Sequence, residues 1–514
     1  MAPPLDSIER DDRRWHAAVG ALLVGALTLV VHGFRVTAAP DLLGDEGLYF
    51  LVAHNLATGI GLKDDVGTFF WHPPGYPVAV SLWIQLTGSL NLDFAAALLQ
   101  SRWLNVIFSA CTAALLVVFG SRLLNLRAGL LMAAIFTGDL FVQRINRRSM
   151  LETPAILLVL LGFYLFYSGR SRVSWARVLG AGLAFGAAIL TKEVAVVGLL
   201  ALGVYVVVFQ RQMLGAFARV VAIAAAAYSV YVGWALLTDS ERFLRFKADE
   251  LARILAVGRG VVAPAARIQV GADPGILERL GPALLTYAPT YLLLVIGTIA
   301  TALLFLRHRD RMAAQLVLCW SGLSYVAIGF GEYAGFGDQF FYYVLVPAIV
   351  AISYLLVADW PSINRPAIHV PSVGVRVGLA TLALAILAVY DVAAWTTRYA
   401  VSSDDGYARI LRYVRANVPL GSTIVVDADV SNYLLRPDYD IEFFRDQASV
   451  RSAGVHYFIL STKLVQLRYN RMSPAFYDWV RSNTEPMIEV DGDTYWTLGL
   501  YRWVDRVSQQ PAPQ

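Results

Sequence analysis

Apolar stretches, most of them about as long as a bilayer core is thick, recur along most of the 514-residue chain. The first of them, Ala17–Val36, has about the 20 residues that a membrane-spanning helix needs. Only 16% of the residues are charged, where a soluble chain carries about a quarter, and the mean hydropathy is +0.56. The sequence therefore predicts an all-α polytopic membrane bundle and excludes an ordinary soluble enzyme.

About eleven transmembrane helices are predicted, with basic residues concentrated in alternate loops. The positive-inside rule then places the N-terminus in the cytoplasm, and an odd number of spans places the C-terminus outside. We expect a multi-pass protein of the cell (inner or plasma) membrane. The predicted spans are Ala17–Val36, Phe94–Phe119, Ala128–Val142, Thr153–Tyr167, Val178–Leu190, Val194–Phe209, Phe217–Leu237, Ala283–Leu306, Ala313–Phe330, Phe340–Val357 and Val375–Trp395.

A change of composition divides the chain into two predicted domains. Residues 1–398 form the membrane domain, with external loops at 37–93 and 238–282, and residues 399–506 form a small soluble α/β domain outside the membrane. Alternating helix and strand patterns predict the second domain. Residues 507–514 are predicted to be a disordered tail. In the α/β domain, Asp404 and Asp405 are expected to cap a helix that ends near Asn417, and strands are expected at Ser422–Asp427, Val455–Leu460 and Tyr495–Tyr501.

Two adjacent carboxylates, Asp45 and Glu46, follow directly on the first span, and Tyr49 lies about one helical turn further on. Ionisable residues at the edge of a membrane are candidates for function. The simple alternative is a helix cap stabilised by the helix dipole. The functional hypothesis is a general base that takes a proton from an acceptor hydroxyl, or a carboxylate that stabilises positive charge on a sugar.

The segment His72–Pro77 contains three prolines and leads into a short apolar helix, Tyr76–Thr87, that is suited to the membrane interface. A rigid turn at the entry to the helix would explain this segment without any role in function. In the functional alternative, His72 contacts a phosphate or a sugar.

Further charged residues lie at the same predicted face of the bundle. Arginine binds phosphate bidentately, so a cluster at Arg144, Arg147 and Arg148 ahead of Glu152 suits an anionic lipid headgroup. Headgroup snorkelling explains the arginines equally well. The short Thr191–Glu193 segment, which contains Lys192, has a simple turn between helices as its alternative explanation. For Arg102, in the first half of the second span, the alternative explanation is a hidden ion pair. No HExxH, CxxC, Walker A or GxSxG pattern is present, and no metal site is predicted.

In this order the motifs resemble the GT-C membrane glycosyltransferases of the protein O-mannosyltransferase superfamily, which includes the bacterial aminoarabinose and galacturonic acid lipid A transferases. The resemblance covers roughly Ala17–Ala358. Besides the motifs above, it rests on Leu190–Lys192 and on the late segment Tyr342–Pro347. Two positions depart from the pattern: many lipid A transferases have Lys where this chain has His72, and the late motif often has Arg where this chain has Phe341.

The resemblance implies a polyprenyl-phosphate sugar as donor and transfer on the outer face. The residues themselves require no cofactor, and a divalent metal stays open. It implies Asp45, Glu46 and Glu152 as catalytic residues, with Asp45 the general base. The substrate-binding residues that it implies are Tyr49, His72, Tyr76, Arg102, Arg148, Lys192, Tyr342 and Tyr343.

The predicted partners are the lipid bilayer, the lipid-linked donor and an acceptor on an envelope glycan, lipid or protein, with no nucleic acid. Protein, lipid A, an arabinogalactan-like polymer and teichoic acid all remain open as acceptors. A transporter or flippase of lipid-linked saccharides is the main alternative. Transporters, however, place their binding sites near mid-membrane, whereas here the charged residues lie at the external loops. A catalytically silent scaffold is a third hypothesis.

Overall fold

The computed structural model describes residues 5–167, 173–258, 287–308, 311–333, 338–358, 385–436, 438–443, 446–466 and 473–504. Within these ranges the chain is a bundle of apolar helices followed by a small α/β domain, which confirms the predicted fold class. The predicted tail at 507–514 lies outside the described residues, as do much of the 238–282 loop and parts of the spans Ala283–Leu306 and Val375–Trp395.

The membrane domain is built of helices that we number in chain order. They are α1 Leu5–Gly33, α2 Gly44–Ala57, α3 Gly75–Leu86, α4 Phe94–Leu123, α5 Leu126–Gly138, α6 Leu140–Asn146, α7 Glu152–Phe166, α8 Trp175–Thr191, α9 Val196–Phe209, α10 Leu214–Gly258, α11 Ala288–His308, α12 Met312–Tyr333, α13 Phe341–Val357 and α14 at residues 385–395.

All eleven predicted spans overlap helices of the described part. Four stretches there are long and apolar enough to cross a membrane, and the bent pair α5 and α6 would make a fifth. The other apolar helices are shorter, so the number eleven and the orientation of the termini stay predictions. The four stretches are Arg14–Gly33, Phe94–Leu123, Arg211–Ala252 and Ala288–Leu306.

The prediction of one continuous span at Ala128–Val142 is wrong, because α5 and α6 meet at Asp139 with a bend of 70°. The Asp139 carboxylate accepts a hydrogen bond from Val142 N at 2.9 Å, and so caps α6. It also accepts one from Thr290 Oγ1 at 2.7 Å. An aspartate that bonds the backbone in this way ends one helix and begins another. After the bend, α6 leads to Arg147 and Arg148, which contact the loop at residues 37–93.

The C-terminal domain holds a five-stranded sheet in the order β2-β1-β3-β5-β4. Strand β1 runs parallel to β2 and β3, and β5 runs antiparallel to β3 and β4. All three predicted strands are present, and two more were missed. The elements are α15 Gly406–Asn417, β1 Thr423–Val426, α16 Val430–Leu435, β2 Asp440–Glu442, α17 Gln447–Ser452, β3 Tyr457–Ser461, α18 Thr462–Gln466, α19 Pro474–Ser482, β4 Thr484–Gly492 and β5 Trp496–Trp503.

The predicted capping of α15 is wrong in its chemistry. Asp405 is the N-cap residue, but its side chain makes no capping hydrogen bond. Tyr407 N instead donates to Asp41 Oδ2 at 2.9 Å, so a carboxylate of the membrane domain caps this helix. Asp404 faces the other way and accepts hydrogen bonds from Asp41 N at 3.1 Å and Thr494 N at 3.0 Å. Asp41 and Asp404 therefore join the loop at residues 37–93 to the α/β domain.

Candidate active site

Helix α2 carries the carboxylate pair, and its first turn is fixed by Glu46. Leu43 is the N-cap residue, and Leu43 N donates to Glu46 Oε2 at 3.2 Å. Asp45 is the second residue of α2, close to the N-cap as predicted but not at it. The carboxylate of Glu46 thus reaches back to the start of the helix, as the acidic residue of a capping box does.

Glu46 is fully buried and is held by Arg102, which is also fully buried. Arg102 Nε donates to Oε1 at 2.9 Å and Nη2 to Oε2 at 2.8 Å, a bidentate pair. Ser149 N adds a hydrogen bond to Oε1 at 2.8 Å. Both carboxylate oxygens are therefore occupied, and the geometry supports a positioning role for Glu46; direct participation in chemistry stays a prediction.

Arg102 donates its remaining hydrogen bonds to main-chain carbonyls in the loop after α1. Its partners there are the oxygens of Val36, Pro40 and Asp41, at 2.6–3.3 Å. A guanidinium has five N–H groups, and all five are used within the protein. The hidden ion pair foreseen for Arg102 is thus confirmed, and no donor remains for the substrate contact that the family resemblance implies.

Asp45 differs from Glu46 in its burial and in its hydrogen bonding. Its side chain is partly buried, and within the described ranges no donor hydrogen-bonds to it. Burial raises the pKa of Asp45 to about 6; Glu152, Asp429 and Glu46 act in the same direction, and Lys192 opposes them. At neutral pH Asp45 is an ionised carboxylate that is free to take up a proton.

Glu152 and Lys192 form a buried ion pair between the start of α7 and the end of α8. Glu152 Oε2 is buried and has no hydrogen-bond partner in the described part of the protein. The same holds for the Tyr343 hydroxyl of α13. The Lys192 ammonium lies 4.9 Å from the ring centroid of Phe340. Since buried polar groups are nearly always hydrogen-bonded, Glu152 Oε2 and the Tyr343 hydroxyl suit an incoming polar ligand.

Aromatic side chains form one wall beside these charges. The Tyr49 ring centroid lies 5.8 Å from that of His72 and 6.2 Å from that of Tyr76. The Tyr76 hydroxyl is hydrogen-bonded to Asn105 and Ser149, so its contacts are internal. The structure therefore brings Tyr49, His72 and Tyr76 together, as predicted.

Tyr342, on α13, lies deeper in the bundle. It is fully buried, and its hydroxyl donates to Asn146 Oδ1 at 2.8 Å. The Tyr342 hydroxyl is therefore bonded to the end of α6, whereas the hydroxyl of the adjacent Tyr343 is unpaired within the described residues.

Arg144, Arg147 and Arg148 each have their own contacts within the protein. Arg147 donates to main-chain oxygens at the end of α1 and in the loop after it, and its guanidinium lies 4.0 Å from the Tyr399 ring centroid. Arg148 Nη2 donates to Asp41 O at 3.2 Å and to Thr494 Oγ1 at 2.9 Å. Arg144 lies over the rings of Phe141 and Tyr287. Of the three, Arg148 is closest to the carboxylate pair, 3.8 Å from Glu46 Oε2.

The sequence interpretation missed the contribution of the C-terminal domain to this site. Asp429 and Tyr433, at the start and within α16, lie against α2 at Gly44 and Gly47. Asn432 Nδ2 of the same helix donates to Asp65 Oδ2 at 2.9 Å. The local signal for this contact was the pair of glycines that flank Asp45-Glu46, because glycine permits close approach of another element.

The described residues contain no group of three or more His, Cys, Asp or Glu side chains placed to hold a metal ion.

Comparison with known proteins gives a partial match to one family model and a shared fold. Residues 71–234 match the family model described as dolichyl-phosphate-mannose-protein mannosyltransferase. No curated protein sequence matches the chain. The crystal structure of ArnT from Cupriavidus metallidurans bound to undecaprenyl phosphate is similar, with a TM-score of 0.56 and 14% identity over 96% of this chain and 99% of ArnT. The archaeal oligosaccharyltransferase AglB from Archaeoglobus fulgidus, in complex with an inhibitory peptide and a dolichol-phosphate, matches with a TM-score of 0.54 and 12% identity over 97% and 75% of the two chains. At these identities the structures share the fold.

Proposed function

We propose that the chain is a membrane glycosyltransferase of the GT-C type, which transfers a sugar from a polyprenyl-phosphate donor to an acceptor hydroxyl on the extracytoplasmic face. The partial match to the mannosyltransferase family model and the fold shared with ArnT support this proposal. In this proposal Asp45 is the general base. The observation that carries the proposal is the contrast within the carboxylate pair. Glu46 is held by Arg102 in a buried ion pair, whereas Asp45 accepts no hydrogen bond from the described residues and has its pKa raised by burial to about 6, with Lys192 and Glu152 among the charges that act on it.

The reaction follows from these positions. The acceptor hydroxyl oxygen attacks the anomeric carbon while Asp45 takes its proton. The bond from the anomeric carbon to the phosphate oxygen breaks, and the electron pair leaves with the polyprenyl phosphate. A base works best when its pKa is near the operating pH, and a pKa of about 6 for Asp45 meets this condition.

The Glu152–Lys192 pair suits the donor head. An ammonium has three N–H groups, and Lys192 donates to Glu152, so further donors remain for an anionic phosphate. Charge that develops on the leaving phosphate is stabilised best by a donor fixed in place beforehand. Glu152 Oε2 and the Tyr343 hydroxyl, both unpaired in the described structure, suit sugar hydroxyls.

An apolar groove of about 510 Å³ between α9 and α10 suits the isoprenoid chain. Its lining includes Val196, which begins α9 shortly after Lys192, and continues along α9 to Val208, with Phe217 and Val221 on α10 opposite. An isoprenoid chain in the bilayer is already out of water, so van der Waals packing against these side chains is what would hold it in the groove. The groove thus supports a donor whose head is at Lys192 and whose tail lies between two helices.

The test is the Asp45→Asn variant in liposomes. The assay uses undecaprenyl-phosphate mannose, glucose and arabinose as donors and envelope glycan from cells that lack the protein as acceptor, with product detected by mass spectrometry. We expect a loss of at least a hundredfold in transfer, with binding of undecaprenyl phosphate retained. Asp478→Asn, an exposed aspartate of α19, is the matched control.

Normal transfer by Asp45→Asn would refute the role of Asp45. Movement of intact donor across the bilayer, with no new glycosidic bond formed by the unaltered protein, would refute the enzyme and support a flippase.

A further inference from the structure

Two glycines flank the carboxylate pair, in the sequence Gly44-Asp45-Glu46-Gly47, and the C-terminal domain covers both. A methyl group added at Gly47 would lie 2.6 Å from Tyr433 Cδ2, and one added at Gly44 would lie 3.1 Å from Asp429 Cβ. Positions three apart share a helix face, so α16 presses on one face of the first turn of α2. No larger residue fits at Gly47 unless Tyr433 moves.

A second contact fixes the same helix to the external loop. Asn432 Nδ2 donates to Asp65 Oδ2 at 2.9 Å, and Asn432 is itself buried, with its Oδ1 unpaired in the described structure. Helix α16 is thus attached both to α2 and to the loop that follows α2. Together with the Glu46–Arg102 pair, α16 therefore holds the first turn of α2 in place.

The charges around Asp45 come from four elements. Glu46 and Tyr49 belong to α2, Glu152 to α7 and Lys192 to the turn after α8, and Asp429 and Tyr433 belong to the C-terminal domain. Asp429 is the one carboxylate of this set that the C-terminal domain contributes. Its Oδ2 lies 3.7 Å from the methyl position at Gly44, the residue immediately before Asp45.

We propose that Asp429 and Tyr433 are positioning residues of the glycosyltransferase site: Tyr433 fixes the first turn of α2 through Gly47, and Asp429 sets the charge that Asp45 meets. This inference rests on the proposed function, with Asp45 as base. The C-terminal domain is then part of the catalytic unit and not a separate appendage, and sugar transfer requires it to be docked.

The first test measures kcat/KM against pH in the full-length Asp429→Asn variant, in liposomes with the donor that the unaltered protein uses. Removing a neighbouring negative charge makes Asp45 easier to ionise. The acid limb should therefore move to lower pH by about 0.5–1 unit, whereas the control Asp478→Asn leaves it unchanged. An acid limb that does not move in an active Asp429→Asn enzyme would overturn the role of Asp429.

The second test uses steric rescue and does not depend on titration. Gly47→Ala should lower kcat by about tenfold or more, because the methyl group displaces Tyr433 or α2 and misplaces Asp45. Tyr433→Ala alone should also lower kcat, because α2 loses the contact that fixes it. Added to Gly47→Ala, it should restore part of the activity, because the steric clash is removed. Gly233→Ala on α10, where a methyl group meets no atom within 4 Å, is the control.

Full activity of Gly47→Ala, or a double variant no more active than Gly47→Ala, would overturn the role of Tyr433. An unaltered protein that transfers none of the sugars would instead refute the proposed function, so the two failures are distinguishable.

Discussion

Replacement of Arg102 by methionine should destabilise the protein more than any change to an exposed arginine. Methionine fills much of the same volume but supplies no donor. The change leaves the Glu46 carboxylate fully buried, with Ser149 N, Leu43 N and the more distant Arg148 as its remaining partners. It also removes three hydrogen bonds that hold the loop after α1.

The size of the effect follows from burial. Removing one partner of a buried ion pair costs about 3–5 kcal/mol, because the other charge is left uncompensated. An exposed pair contributes about 1 kcal/mol or less. Arg245 pairs with Glu241 four residues earlier on α10, and the two side chains are 70% and 84% exposed. Arg245→Met is therefore the matched control, and its free energy of unfolding should lie within about 1 kcal/mol of the unaltered value.

The measurement is reversible unfolding in mixed micelles, with dodecyl sulfate as denaturant and tryptophan fluorescence as readout. The Glu46→Gln/Arg102→Met double variant should be more stable than Arg102→Met alone by about 1–3 kcal/mol, because the buried charge is gone. An Arg102→Met protein as stable as Arg245→Met would refute the assignment of this pair as the anchor of the site. A double variant less stable than Arg102→Met would refute the electrostatic explanation.

Two further predictions concern the site and its support. Because Asp45 must be ionised to act and its pKa is raised to about 6, kcat/KM of the unaltered enzyme should be constant near neutrality and fall about tenfold per pH unit below about pH 6; a limb near pH 4 would contradict this. A methyl group at Gly75 would lie 2.6 Å from Leu190 O, so Gly75→Ala should lower the free energy of unfolding by about 1–3 kcal/mol. The half-life of activity at raised temperature should become shorter. A half-life equal to that of Gly233→Ala would contradict the close packing of α3 on the end of α8.

Local signals in the sequence were enough to predict the helices around the site. The helix that begins at the carboxylate pair is Gly44–Ala57, and the one predicted at Tyr76–Thr87 is Gly75–Leu86. Proline and glycine before each apolar run supply these boundaries within a few residues. The break at Asp139 escaped prediction because apolar residues continue on both sides of it, and the hydrogen bond from Thr290 comes from a helix far along the chain.

The sheet and the docking of the C-terminal domain were less accessible. Strand β2 has three residues, and β4 contains Pro486 and four polar residues among its nine, so neither shows a buried-strand pattern. The contact between Gly47 and Tyr433 joins residues almost 400 positions apart, and nothing local in either segment names the other. Glycine at both flanks of a carboxylate pair was the available hint, and it specifies close approach without specifying the partner.

The division of roles between Asp45 and Glu46 follows from helical geometry. Successive residues of an α-helix point about 100° apart, so two adjacent carboxylates cannot both face one cleft. Glu46 is directed inward, where Arg102 and the capping hydrogen bond to Leu43 N fix the rotation of α2 about its axis. Asp45 lies outside this hydrogen-bond network, and Lys192 and Glu152 are among the charges that act on its pKa. An exchange of the two residues would therefore lose both functions at once, because aspartate is too short to reach Arg102 and the capping position together, and the glutamate in its place would no longer be aimed by a locked neighbour.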